Sequence, residues 1–200
     1  LEVLEGDIDD PQLGLREEDV RRLSGKIDLI LNCAGLVDFH ADLRKAYRTN
    51  VRGSLNALEL ARSWECPLLH ISTAFVAGAS DGRVSESPVA DYAPSFPGFR
   101  AETDYAELER LVGGAPPSGA TWVETGLRRA EERGWPNVYS YTKSLAESLL
   151  LARAGGVPVS LFRPSIVESA QEFPFPGWNE GITTCAPLSF LLSRWTRVLQ

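Results

Sequence analysis

Two hundred residues, 44% apolar and 24% charged, can bury one sizeable core and have ordinary globular composition, which sets aside disordered and fibrous classes. A net charge of −7 and an isoelectric point near 5.0, with no cluster of Lys and Arg, speak against a nucleic-acid surface. No apolar run approaches the roughly 18 to 20 residues of a membrane span, and nothing at the amino end reads as a signal peptide, so a soluble, cytoplasmic protein is expected.

Leu1 to Ile8 alternates and ends in Gly6-Asp7-Ile8, which predicts a strand running into a loop with Asp7 at its exit. Because the sequence contains no methionine and opens on what reads as the inside of a strand, a fragment is expected. Leu15 to Leu23 has the charge and periodicity of a short helix, closed by Gly25. IDLILNCAG, residues 27 to 35, is a continuous apolar run ending in Asn, Ala and Gly, the pattern of a parallel strand covered on both faces. Helical spacing follows from about Asp42 to Trp64, with Leu43, Ala46, Tyr47, Val51, Leu55, Leu58 and Ala61 near one stripe and Asn50 interrupting it. LLHISTAFVAG, residues 68 to 78, and VPVSLFRPSIV, residues 157 to 167, read as two more buried strands, and a further helix is expected over Pro187 to Gln200.

Strands alternating with helices predict an α/β fold, a doubly wound parallel sheet in which ligands sit beyond the carboxyl ends of the strands. Asp7, Asn32 to Gly35, Thr73, and Arg163 to Ser165 all fall at or just past predicted strand exits. Residues 79 to 134 interrupt the alternation with two short helices, Arg100 to Leu111 and Ala120 to Arg133, separated by Gly113-Gly114-Ala115-Pro116-Pro117. An insertion this long is read as functional and lying over the site; the plainer alternative is a solvated flap.

The chemistry-bearing residues are few. Cys33, Cys66 and Cys185 are scattered, and with two histidines they give neither a disulfide pair nor a zinc set, so free thiols and no metal are expected. Tyr139 and Lys143 stand four residues apart, just inside a helix that begins after Trp135-Pro136-Asn137, which puts phenol and ammonium on one helical face. A fixed cation a few ångströms away favours the phenolate and brings the proton of a group titrating near pH ~10 within reach of neutral chemistry. An exposed helix pair is the plain alternative. Tyr141, with Leu145 at the equivalent spacing, gains no such help.

Together these residues resemble a known family. Asn32-Cys33-Ala34-Gly35 is similar to the NNAG-type turn of short-chain dehydrogenases/reductases, Thr73 stands where their hydroxyl residue stands, and Tyr139-xxx-Lys143 matches their signature. TNVRGSLNALELA, residues 49 to 61, indicates the extended branch. GDIDDPQLGL (6 to 15), AGLVDFHADLRKAYRTNVRGS (34 to 54), HISTAFVAG (70 to 78), GWPNVYSYTKSLAE (134 to 147), RPSIVESA (163 to 170) and FPFPGWNEG (173 to 181) resemble fatty acyl-CoA reductases, particularly the bacterial type. Two departures stand out. The glycine-rich TGxxGxxG turn is absent and in the family would lie roughly 50 to 70 residues before Gly6, as for two strand-helix units of a dinucleotide fold. The acidic residue that commonly precedes the PFPGW-like stretch is displaced, Glu172 standing before Phe173. The resemblance therefore implies a Rossmann-like reductase domain over residues 1 to 200, truncated at both ends, with an insertion at about 79 to 134 and a gap in its sheet.

For the site, the resemblance implies that Lys143 holds the nicotinamide ribose and lowers the pKa of Tyr139. Tyr139 then gives a proton to a carbonyl oxygen as hydride arrives, and Thr73, rather than Ser72, orients that oxygen. Asn50 would be a polar kink that helps position the lysine. Asp7, as acceptor for the adenine amino group, would line the cofactor with Ile8, Asn32, Cys33, Ala34 and Gly35, and Pro164, Ser165 and Ile166 would wall the nicotinamide. Phe75 and Trp178 would meet the acyl chain, and His40 and His70 are read as structural. The implied substrate is a long-chain acyl thioester of coenzyme A or acyl-carrier protein, reduced to aldehyde, alcohol or both; the implied hydride donor is NADPH, with NAD left open. Peripheral membrane contact is compatible with this reading, and no oligomeric state is specified. Two rivals stand beside it. One is another extended reductase, a thioester-releasing domain or a sugar-nucleotide epimerase, although Ser-Ile-Val-Glu-Ser-Ala after Arg163-Pro164 lacks the Tyr-Gly-Pro of epimerases. The other is a nucleotide-binding fragment without turnover.

Overall fold

Among the described residues, three parallel strands form the sheet: β1 (Ile30–Asn32), β2 (Leu68–Ile71) and β3 (Val159–Phe162), in that spatial order, with Ile30 opposite Leu68 and Leu68 opposite Val159. This computed structural model describes residues 1–80, 82–86, 90–117 and 119–179; the helix expected over 187–200, and Cys185, lie outside them. The chain divides into two compact units, Leu1–Arg163 and Pro164–Gln200. All three strands and the helices below belong to the first.

Side chains alternate across a strand, so the register places Ile30, Asn32, Leu68, His70, Val159 and Leu161 on one face and Leu31, Leu69, Ile71, Ser160 and Phe162 on the other. The first face is packed under helices, with Leu68 and His70 fully buried. On the second, Leu31 is 55% and Phe162 58% exposed, so the expected coverage of both faces holds for one face among the described residues. The strand predicted over Leu1 to Ile8 is not formed. A strand is held by its ladder, and among the described residues this segment pairs with none; it turns back instead, with the Asp7 amide donating to the Leu13 carbonyl and a 3₁₀ turn over Pro11–Gly14.

α1 (Glu17–Leu23) is followed by a long helical run predicted from its apolar stripe. That run comprises α2 (Leu43–Ala46), a π-helical turn (Tyr47–Arg52) and α3 (Gly53–Ser63). Asp42 caps its start by accepting from the Arg44 amide, and every residue of the predicted stripe is buried. Asn50 sits within the π turn, where the sequence shows its polar interruption.

α4 (Ala101–Val112) and α5 (Trp122–Glu132) lie in the insertion, and α6 (Val138–Arg153) follows it. The insertion helices are not a solvated flap: each buries one face and exposes the other. Leu108, Trp122 and Ala130 enter one buried cluster with Leu43, Val51, Val138, Tyr141, Leu145 and Leu149, so both helices pack on α6. A second cluster, with Leu58, Leu60, Trp64, Leu68 and Leu150, seals α3 and α6 against the inner sheet face. α6 thus contributes to both clusters, which fixes its rotation relative to the strand exits.

Candidate active site

The site is assembled where β1, β2 and α6 end or begin. Asn137 caps α6 by accepting from the Ser140 amide at 2.8 Å, so helical geometry is set two residues before Tyr139. Trp135, 1% exposed, donates its indole N–H to the Val76 carbonyl at 2.8 Å and so ties the lead-in of α6 to the segment after β2. Gly134, at φ +95°, lets the chain pass there, because a Cβ would lie 2.7 Å from the Ser95 amide. That segment is a 3₁₀ turn over Ala74–Ala77 capped by Thr73, whose Oγ1 accepts from the Phe75 amide at 3.3 Å. Thr73 is buried, and its hydroxyl is near enough to the phenol of half-buried Tyr139 to influence its titration. The Ser72 hydroxyl is buried without a hydrogen-bond partner and takes no part in this pair.

Burial pushes the Tyr139 phenol up from its ordinary value, and the Thr73 hydroxyl draws it partly back. The expected help from Lys143 is not seen. Its ammonium nitrogen instead donates to the Ile71 carbonyl at 2.5 Å and lies 3.3 Å from Nε2 of His70. Burial lowers Lys143 to about 8, against smaller upward pulls from Glu147 and Cys33. Glu147 is committed elsewhere: Arg163, at the end of β3, grips both of its carboxylate oxygens at 2.6 to 3.1 Å. His70, read from sequence as structural, therefore touches the lysine directly. Its other nitrogen, Nδ1, lies 3.1 Å from Nδ2 of Asn32.

Asn50 does more than interrupt a helix. Its Oδ1 accepts from the Leu36 amide at 2.7 Å, and its Nδ2 donates to the Leu36 carbonyl and to Thr142 Oγ1 of α6 at 3.2 and 3.0 Å. It thereby pins the turn after β1 to α6. A Cβ on Gly35 would meet Asn50 Oδ1 at 3.5 Å and Lys143 Nζ at 3.8 Å, ordinary contact distances that place this glycine beside both side chains. Phe39, from the same turn, sets its ring 5.9 Å from that of Tyr139, a neighbour that the strand and helix patterns gave no means of finding.

Five of the predicted cofactor residues, Asp7, Ile8, Asn32, Cys33 and Ala34, line one cleft of about 310 Å³. Asp7 is exposed and its Oδ1 accepts from the Asp9 amide at 2.9 Å, which makes it a turn former as well. The loop that bears it is held by residues of the 49 to 61 stretch. Asn56 donates to the carbonyls of Ile8 and Asp10 at 2.9 and 3.0 Å, Thr49 donates to Asp9 at 3.0 Å, and Gly53 makes room for Ile8, whose Cγ1 would be 2.7 Å from an added Cβ. Sequence reasoning missed Asn56 and Gly53; a polar amide and a glycine within an apolar helical stripe were the available signal. Phe75 is 47% exposed beside Thr73. Pro164, Ser165, Ile166 and Trp178 belong to the second unit, where Trp178 and Ala170 close a small turn through the Ala170 amide and the Trp178 carbonyl at 2.7 Å.

Among the described residues no helix is long and apolar enough to cross a membrane, and no group of His, Cys, Asp and Glu has the arrangement of a metal site. The NAD-binding family described as male sterility protein matches residues 1–196. Alcohol-forming fatty acyl-CoA reductase of Simmondsia chinensis is 31% identical over 196 residues, 91% of this chain and 39% of that protein. Fatty acyl-CoA reductase 8 of Arabidopsis thaliana is 33% identical over 197 residues, 90% of this chain and 39% of its own length. The chain thus spans about two fifths of the length of these relatives. Among solved structures, the terminal R domain from the myxalamid PKS-NRPS biosynthetic pathway superposes with a TM-score of 0.54 at 26% identity, covering 88% of this chain and 35% of that one. The fold of these neighbours is the Rossmann-like fold of extended short-chain reductases.

Proposed function

We propose that this chain, which belongs to the male sterility protein family of NAD-binding domains, forms part of a reductase of fatty acyl thioesters and supplies its proton donor. The observation that carries the reading is the convergence of Thr73, Tyr139 and Lys143 at the ends of β2 and α6, beside a cleft lined by the turn after β1. The likeness to plant fatty acyl-CoA reductases supports the substrate class, long-chain acyl groups on coenzyme A. The likeness to a terminal R domain favours carrier-protein thioesters as a second reading.

The residues present fit a nicotinamide dinucleotide. Asp7 offers a carboxylate to an adenine amino group, Ala34 and Gly35 present a small-residue wall, and Lys143 keeps N–H donors for ribose hydroxyls. A bound nicotinamide dinucleotide, NADPH in this reading, would supply the hydride for the thioester carbonyl carbon. Tyr139, kept protonated by burial, donates its phenolic proton to the carbonyl oxygen, and the Thr73 hydroxyl orients that oxygen. The resulting hemithioacetal breaks its C–S bond to give aldehyde and free thiol; a second hydride and proton give the alcohol. Asn50 keeps the turn after β1 in place relative to α6, and exposed Phe75 contributes apolar surface for the acyl chain.

The test follows NADPH absorbance in the protein that carries this chain, with a long-chain acyl-CoA or the corresponding acyl-carrier protein. Acyl-dependent oxidation that disappears in Tyr139→Phe is expected. No oxidation with either thioester by the intact protein would overturn the reading.

A further inference from the structure

The turn after β1 is anchored at both ends and apolar at its crest. Asn50 holds the amide and the carbonyl of Leu36 at 2.7 and 3.2 Å, and both Leu36 and buried Ala41 pack with the cluster that contains Tyr141 and Leu145. Between them the Asp38 carboxylate accepts from the His40 amide at 2.9 Å, which ties the backbone on either side of Phe39. At the crest, however, Val37 is 71% and Phe39 49% exposed. A single exposed apolar side chain needs no explanation, but these stand beside the acid. The Phe39 ring lies 5.9 Å from that of Tyr139, and Phe75, two residues past Thr73, is likewise exposed.

We propose that Phe39 is a specificity-determining residue, whose ring receives the methylenes of the substrate's acyl chain as the chain leaves the reacting carbonyl. The inference rests on the reductase reading and says which end of the thioester faces this turn. To take the phenolic proton, the carbonyl oxygen must come within about 2.6–3.2 Å of the Tyr139 hydroxyl. The carbonyl carbon is one bond further on and bears two substituents, so a substituent comes within reach of the neighbouring ring. One substituent is a hydrocarbon. The other is a sulfur leading into an arm that carries amides. Hydrocarbon gains by leaving water for an apolar surface, a factor of about four in affinity for each methylene covered. An amide pressed against the same ring gives up its hydration and finds no hydrogen-bond partner there. Chemistry therefore assigns the ring to the acyl chain. The anchoring of the turn strengthens the assignment, because a side chain on a backbone already fixed by Asn50 and Asp38 loses little further freedom when the chain arrives.

The test uses the intact protein that carries this chain and compares hexadecanoyl-CoA with acetyl-CoA, which has no methylene to place. Phe39→Ala should lower the ratio of kcat/KM for the two substrates about ten-fold, the worth of roughly two covered methylenes, with the KM for NADPH near the parent's. Phe39→Leu keeps an apolar side chain and should restore most of the ratio. An unchanged ratio in Phe39→Ala overturns the proposal, whether turnover of both substrates is kept or falls equally. A raised KM for NADPH with an unchanged ratio would make the ring a wall for the cofactor and overturns it too. A second measurement needs no turnover: p-benzoylphenylalanine in place of Phe39 is irradiated with hexadecanoyl-CoA, the thioester is hydrolysed, and the adduct is weighed by mass spectrometry. An adduct that keeps the hexadecanoyl group is expected; one that keeps the coenzyme, or none, contradicts the assignment. Failure to oxidise NADPH with every thioester would remove the reductase reading, and the cross-link would still report which end of hexadecanoyl-CoA meets this turn.

Discussion

Two tyrosines stand two residues apart on α6 and therefore point to nearly opposite sides of the helix. Tyr141 is fully buried and its hydroxyl is used up: it donates to Asp104 at 2.5 Å and accepts from Arg129 at 2.9 Å. Asp104 in turn accepts from Arg129 and Arg133, each at 2.6 Å, so the charges of the insertion and the phenol of α6 close on one another. Tyr139 is half-buried, lies near the Thr73 hydroxyl, and faces the turn that carries Phe39. Burial raises both phenols. Their difference lies in spare capacity. A buried polar group with every partner satisfied fixes a structure, whereas one left with an open lone pair or proton can act on something that arrives.

That contrast predicts opposite consequences for one lost oxygen atom. Tyr139→Phe should lower NADPH-dependent turnover by orders of magnitude, roughly the 10²- to 10⁴-fold typical of a positioned acid, with cofactor affinity and melting temperature near the parent's. Tyr141→Phe should leave the pH dependence of turnover in place and show its loss in stability. Equal losses of turnover in the two variants would erase the distinction drawn between the two sides of α6. The next effect belongs to the saturated side. Asp104→Ala leaves Arg129 and Arg133, whose side chains are 12% and 8% exposed, without their shared carboxylate, and should destabilise by about 3–5 kcal/mol in urea titration. A loss below 1 kcal/mol would mean that the insertion is not anchored through this network.

How much of this was legible beforehand follows from which interactions are local. Strands β2 and β3, the run from Leu43 to Ser63, the helices of the insertion and α6 announce themselves through period and caps, because a helix stripe and a buried strand are written in neighbouring residues. The segment Leu1 to Ile8 has a strand's alternation, yet a strand also needs a partner that lies far away in sequence, and its own residues carry no information about that. The site divides the same way. Tyr139 and Lys143 share a helix face and are found by spacing, and Thr73 is found by its place after a strand. The role of His70 depends on Asn32 and Lys143, 38 and 73 residues away, so it looks like any core histidine until the chain is folded. Asn56 and Gly53 sit inside an apolar stripe as apparent blemishes; their purpose is the loop from Ile8 to Asp10, which only the fold brings to them.

The lysine offers a smaller but sharper test, because its protonation enters stability as well as chemistry. Its folded value of about 8 lies below the ordinary lysine value of 10.5, so between those pH values the unfolded chain binds more protons than the folded one. Stability should therefore rise as pH increases from about 8 to about 10, by an amount on the order of a few kcal/mol, and the rise should vanish in Lys143→Met. Cysteines and tyrosines titrate in the same window, but they are common to both proteins and cancel in the difference. Stability that falls with pH relative to the variant would place a stabilising ammonium at Lys143 and dissolve the contrast between a closed network and an open one.

The smallest effect expected is at the surface, where Arg153 and Glu102 pair between α6 and α4 with side chains 33% and 53% exposed. The contact looks as good on paper as those of Asp104, with two donors on two oxygens. Its partners, however, give up little hydration when apart and must order two long side chains to meet, so the pair is worth about 0–1 kcal/mol. Glu102→Gln should change the urea midpoint by no more than that, and added salt should narrow the difference further. The Asp104 network, shielded by the helices around it, should keep its value in the same salt. A salt-insensitive loss of several kcal/mol from Glu102→Gln would show that α4 is held to α6 at its rim, and that the buried charges supply orientation without most of the attachment.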